Sequence, residues 1–142
     1  MKSNSDIRPT AIQPLGNGAY HYNYNIVERT EEVEPQAAGE DGTKPGAEDI
    51  ADNAPQTRTT YDYDTVEVYG VPNYKDLTRA VIRSEVSETE EFGLINDYNA
   101  AKAGLIENEA EAEEAEARYT THLCRVSEIK AMVKADLTAA GY

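Results

Sequence analysis

Asp62 and Asp64 stand two apart in the run Thr60-Tyr61-Asp62-Tyr63-Asp64-Thr65-Val66-Glu67-Val68-Tyr69. On an extended chain that spacing puts both carboxylates on one face, where they could hold a calcium ion or share acid–base work. A small metal-dependent hydrolase is the activity such a pair implies. A solvated strand face explains the same residues, and the calcium-loop pattern of alternating acids closed by a bidentate glutamate is absent. His122 and Cys124 are also two apart, but in a helical stretch, which sets them about 200° apart and bars them from sharing a metal on one face. The other histidine, His21, falls in a different element. No phosphate loop, dinucleotide fingerprint or serine elbow occurs, and Gly16-Asn17-Gly18 is too short to serve as one. The chain therefore reads as non-enzymatic, with no catalytic, metal or cofactor residue assigned. Cys124 reads as a small, partly buried side chain.

Tyrosine is the better candidate for work. Tyr20, Tyr22 and Tyr24 alternate in Ala19-Tyr20-His21-Tyr22-Asn23-Tyr24-Asn25-Ile26-Val27, and Tyr61, Tyr63 and Tyr69 share one parity in the second run. A period of two is that of a strand, so each trio lines one face. Tyrosine offers a large contact area at low rotamer cost and keeps a polar tip, which suits protein interfaces. Packing under helices is the competing use of the same six residues, and both uses are expected within the set.

The elements that position these residues follow from local signals. Residues 1–10 read as a loose polar leader. Ile12 and Leu15 precede Gly16-Asn17-Gly18, a turn that leads into a strand from Tyr20 to Glu28. Residues 31–58 carry Pro35, Pro45 and Pro55 and eight acids (Glu31, Glu32, Glu34, Glu40, Asp41, Glu48, Asp49, Asp52), with Val33 and Ile50 as the only large aliphatics. Such a stretch buries too little apolar surface to offset its ordering entropy, and it reads as an acidic mobile insert between two paired strands.

After Tyr69 the period changes. Gly70-Val71-Pro72-Asn73 is a turn with Asn73 as N-cap, and a helix follows to about Val86 with Tyr74, Leu77, Val81 and Ile82 on one face. Ser87-Glu88-Thr89-Glu90 is a capping box. It opens a second helix striped with Leu94, Ile95, Tyr98, Ala101 and Leu105, to which Phe92 adds, ending near Gly104. The third helix, from about Asn108 to Thr138, is the longest. Its stripe is Ala112, Ala115, Tyr119, Leu123, Val126, Ile129, Val133 and Leu137. Acids crowd its start (Glu107 to Glu116) and Arg125, Lys130 and Lys134 lie towards its end, which complements the helix dipole. Residues 73–140 thus form a helical part, and 1–142 is expected to be a single α+β domain. In it, a small antiparallel hairpin or three-stranded sheet is covered on one face by three helices.

Composition limits the partners. A net charge of −14 and a pI near 4.4 argue against nucleic acid and anionic membranes, both of which select lysine and arginine. No apolar run approaches the roughly 20 residues that span a bilayer. The polar start argues against a secretory signal, so synthesis in a cytoplasm is expected. One cysteine excludes an internal disulfide. Unpaired sheet edges beside a tyrosine surface favour strand addition, to another protein or to a second copy.

Three stretches resemble small proteins of gut-bacterial prophages that lie near tail-fibre genes. They are Gly16-Asn17-Gly18-Ala19-Tyr20-His21-Tyr22-Asn23-Tyr24-Asn25-Ile26, then Val68-Tyr69-Gly70-Val71-Pro72-Asn73-Tyr74 running into Ala80-Val81-Ile82-Arg83, and Glu91-Phe92-Gly93-Leu94-Ile95-Asn96-Asp97-Tyr98-Asn99-Ala100. The resemblance implies a structural protein of a phage particle, at the tail or tail fibre, or else an assembly chaperone for those parts. Other tail or fibre proteins would be the partners, in a homo- or hetero-oligomer made in the host cytoplasm. It brings no catalytic residue, and relatives would differ most across 31–58.

Overall fold

The computed structural model describes residues 1–33 and 56–142. Four strands and three helices follow in order: β1 (Lys2–Ser5), β2 (Ile12–Pro14), β3 (Ala19–Val33), β4 (Gln56–Tyr69), α1 (Tyr74–Glu85), α2 (Glu88–Lys102) and α3 (Glu109–Ala140). The α+β class is therefore as expected. The strands form one antiparallel sheet in the order β1-β4-β3-β2. β3 and β4 are its long central pair, and the β-branched and aromatic residues that favour pleated backbone are concentrated there.

Two sequence expectations change at this point. The stretch 1–10 is not wholly a loose leader: Lys2–Ser5 pairs with β4, Lys2 opposite Asp64 and Ser5 opposite Tyr61. This edge strand is held by backbone hydrogen bonds against a polar part of β4, so it has no apolar alternation to betray it. The insert is also shorter than 31–58. Glu31–Val33 and Gln56–Arg58 are ladder residues, Glu31 facing Arg58 and Val33 facing Gln56. The expected mobility of 34–55 lies outside the described residues.

Turns and caps fix the connections. Gly16 and Gly18 both take positive φ, +83° and +82°, which carries the chain from β2 back along β3 with Pro14 opposite Tyr20. The side-chain oxygen of Asn73 accepts from the Asp76 amide at 2.9 Å and starts α1. Ser87 opens α2 reciprocally, its hydroxyl accepting from the Glu90 amide while its own amide donates to Glu90 at 2.8 Å. Ser87→Ala is expected to lose about 1 kcal/mol, seen as a fall of a few degrees in Tm, and Ser87→Gly only a few tenths. An unchanged Tm in the alanine variant would show that the cap carries no stability.

The core lies between one sheet face and two helices. Tyr20, Tyr22, Tyr24 and Val68 meet Leu77 and Val81 of α1 and Ile129, Val133 and Leu137 of α3. Each fully buried aliphatic there contributes about 1.5–3 kcal/mol before entropy is subtracted. The expected three-helix cover is thus really two. α2 buries none of its residues fully and leans on the first half of α3, where Tyr98 packs on Tyr119 at 4.7 Å between ring centres beside buried Ala115. α3 has 32 residues and is about 48 Å long, so one end serves the sheet and the other serves α2. Leu105 and Phe92, placed on the α2 stripe from sequence, are exposed, and so is Leu123 of α3.

Candidate functional site

Register decides which tyrosines are available. Tyr20 pairs with Val68, Tyr22 with Val66 and Tyr24 with Asp64, so these residues share the helix-covered face. All three tyrosines are buried and belong to the core. Tyr22 and Tyr24 stack with ring centres 5.3 Å apart. The Tyr22 hydroxyl donates to Asp136 Oδ2 at 2.5 Å, and that of Tyr24 lies 3.2 Å from Ser84 Oγ. Burial pushes the pKa of each of the three upward, with Asp136 adding to the rise at Tyr22 and Asp76 at Tyr20. Their use is packing, which removes them from any partner surface.

Tyr61, Tyr63 and Tyr69 have the opposite parity and lie on the outer face, which no described helix covers. Tyr69 is 69% exposed. Because β1 and β2 sit at opposite edges, residues 6–11 must cross the sheet, and they do so on this face. Asn23, which alternates with Tyr22 and Tyr24, is buried there and donates to Thr10 O at 2.9 Å.

Sequence alone places Asp62 and Asp64 together, and so does the sheet. Between the pairs Tyr24–Asp64 and Val27–Asp62 the β3 strand carries two residues, Asn25 and Ile26, against one on β4. This β-bulge holds Asn25 at φ +52° and reverses the parity of β3, so that Val27 and Arg29 join the face of Tyr24. Arg29 then reaches Asp62, Nε to Oδ2 at 2.5 Å. Asn4 of β1 donates to the other Asp62 oxygen at 2.6 Å, and Asn25 donates to Asp64 Oδ2 at 3.0 Å. With Lys2 opposite Asp64, these side chains line a cleft of about 440 Å³ that Ser3 and Tyr63 also border. Both Asp62 oxygens are thus engaged, and a divalent ion would have to displace a guanidinium to reach them. Among the described residues no three His, Cys, Asp or Glu side chains group as a metal site would require.

The histidine has a different part from the one weighed in the sequence. His122 is buried between α2 and α3, its Nε2 2.9 Å from Glu91 Oε1, and the second oxygen of Glu91 binds Arg83 of α1. Arg83, followed by His122, holds the Glu91 carboxyl below its usual range, although burial acts the other way. The trio ties the three helices together. Sequence reasoning missed it because Leu123, one residue on, looks the better core residue. The seven-residue steps Ala115, His122, Ile129 were the available signal. Cys124 is exposed, not partly buried.

Comparison with protein-family models, with curated proteins and with solved structures finds no match to this chain. No described helix is long and apolar enough to cross a membrane.

Proposed function

We propose that the protein is a non-enzymatic structural component of a phage particle, associated with the tail or its fibres, that binds neighbouring subunits through the outer face of its sheet. The observation that carries this reading is the division of the tyrosines. Three are consumed by the core, while Tyr61, Tyr63 and Tyr69 stay on a face with no described helix over it. The β3–β4 ribbon extends the opportunity. It continues to Val33 and Gln56, beyond the residues that β1 and β2 pair with, so the described residues leave its outer backbone groups free for strand addition. Charge suits a basic partner. The phage setting comes from the resemblance of the three stretches quoted above.

Mass spectrometry of gradient-purified phage particles from a host carrying this gene tests the reading. The expected result is the protein at a fixed stoichiometry, lost from particles when Tyr61→Ala and Tyr69→Ala are combined in a chain whose Tm is nearly unchanged. Presence only in the lysate, bound to a tail or fibre protein, would instead make it an assembly chaperone. Absence from both would overturn the phage assignment.

A further inference from the structure

We infer that the cleft beside the β-bulge binds a neutral polyhydroxylated ligand, that is, a sugar. In a chain of net charge −14 this cleft is locally balanced, with Lys2 and Arg29 against Asp62 and Asp64. An anion entering it meets two carboxylates, and a cation meets a guanidinium and an ammonium. A neutral ligand that alternates donors and acceptors meets a complement on every side.

The groups present are those that read a diol. A carboxylate accepts from two hydroxyls, and an asparagine amide donates and accepts within one plane. Asp64 Oδ1, Asn4 Oδ1, Asn25 Oδ1 and Lys2 Nζ have no protein partner among the described residues, while the opposite atom of each planar group is already held. Asp62 is fixed by Arg29 and Asn4, and Asp64 by Asn25. The ordering cost of these side chains is therefore met before a ligand arrives. The site needs three strands at once: β1 brings Lys2 and Asn4, β4 the two aspartates, and the bulge in β3 brings Asn25 and turns Arg29 inward. The open cleft has a volume of about 440 Å³, within the range of small-molecule sites.

This inference is independent of the assembly role, since the cleft opens on the inner side of the sheet past the helices and uses none of Tyr61 and Tyr69. Saturation-transfer NMR on the full chain tests it with glucose, galactose, mannose and N-acetylglucosamine, and with glycine and glutamate as charged controls. Transfer to the ring protons of at least one sugar is expected. Asp64→Ala should weaken it about tenfold or more at unchanged Tm. Asn4→Trp, which enters from a different strand on the face of Asp62 and fills the cleft, should abolish it. The inference is overturned if no sugar responds, if only the amino acids do, or if the signal survives both variants. Any of these would leave the particle experiment unaffected.

Discussion

Val81→Asp unfolds the protein or nearly so. Val81 is completely buried at the centre of the α1 face, against the sheet tyrosines and the end of α3. Replacing it removes a favourable burial worth about 1.5–3 kcal/mol and puts a carboxyl in apolar surroundings, where it must either ionise or stay protonated without a partner. Together these exceed about 4 kcal/mol, a large part of the 5–15 kcal/mol that holds a domain of this size. A fall in Tm on the order of 15 °C, or no cooperative transition at all, is expected in a thermal melt. Arg79→Asp, two residues away and exposed, is the control and should change stability by no more than about 0.5 kcal/mol. A Val81→Asp protein that melts like the parent would mean that α1 presents another face to the sheet.

Alkaline unfolding is the second large effect. The pKa values of Tyr20, Tyr22 and Tyr24 are all raised in the folded protein, in each case chiefly by burial. In an unfolded chain tyrosine titrates near 10. Below that value both states hold their phenolic protons and these residues add no pH dependence. Above it the unfolded state releases protons that the folded state retains, so stability falls as pH rises, by up to about 1.4 kcal/mol per pH unit for each tyrosine. For each tyrosine the loss continues until the pH reaches its folded-state pKa, and it runs furthest for Tyr22, which burial and Asp136 together push well up. Tyrosinate absorbance and far-UV circular dichroism recorded in one titration should therefore show the buried three ionising in step with loss of the fold. Tyr22→Phe should flatten the alkaline slope by about a third. At neutral pH it should cost about 1–2 kcal/mol, because Asp136 loses the hydroxyl that donates to it. Ionisation of all ten tyrosines with the circular dichroism intact would contradict the packing described.

Outside the sheet centre, the tolerance of the molecule is uneven for reasons visible in its layers. The α2 side depends on contacts of moderate strength: the Tyr98–Tyr119 pair, the ion pair of Lys102 with Glu116 at 2.8 Å, and the Arg83–Glu91–His122 link. None rivals the sheet-side core in buried apolar area, and exposed ion pairs contribute little individually. Local opening of α2 from α3 is accordingly easier than separation of α3 from the sheet.

Much of the fold was legible from local chemistry. The alternation of Tyr20 to Tyr24 marked β3, the change of period after Tyr69 marked the helices, and Asn73 and Ser87 cap the helices that follow them, while the start read near Asn108 is the N-cap of α3. These signals are local because a backbone's period and its first unsatisfied amides are set by residues within one turn. Lys2–Ser5 gave no such signal, since an edge strand on a polar neighbour needs only backbone partners. The sequence also could not say which tyrosines pack and which remain outside, because both trios alternate equally well.

Register made that division, and one inserted residue at Asn25–Ile26 made the cleft. Two-residue alternation carried forward from Tyr24 would turn Arg29 to the outer face, away from Asp62; the bulge turns it inward. By itself the sequence determined the two long strands, the three helices that follow them and the caps at Asn73 and Ser87, all of which depend on neighbours a few residues apart. Tertiary structure alone decided that Asn4, Arg29 and Asp62 would meet and that His122, not Leu123, would be buried. Those outcomes depend on strand register and helix rotation, which are set by packing between segments far apart in the chain.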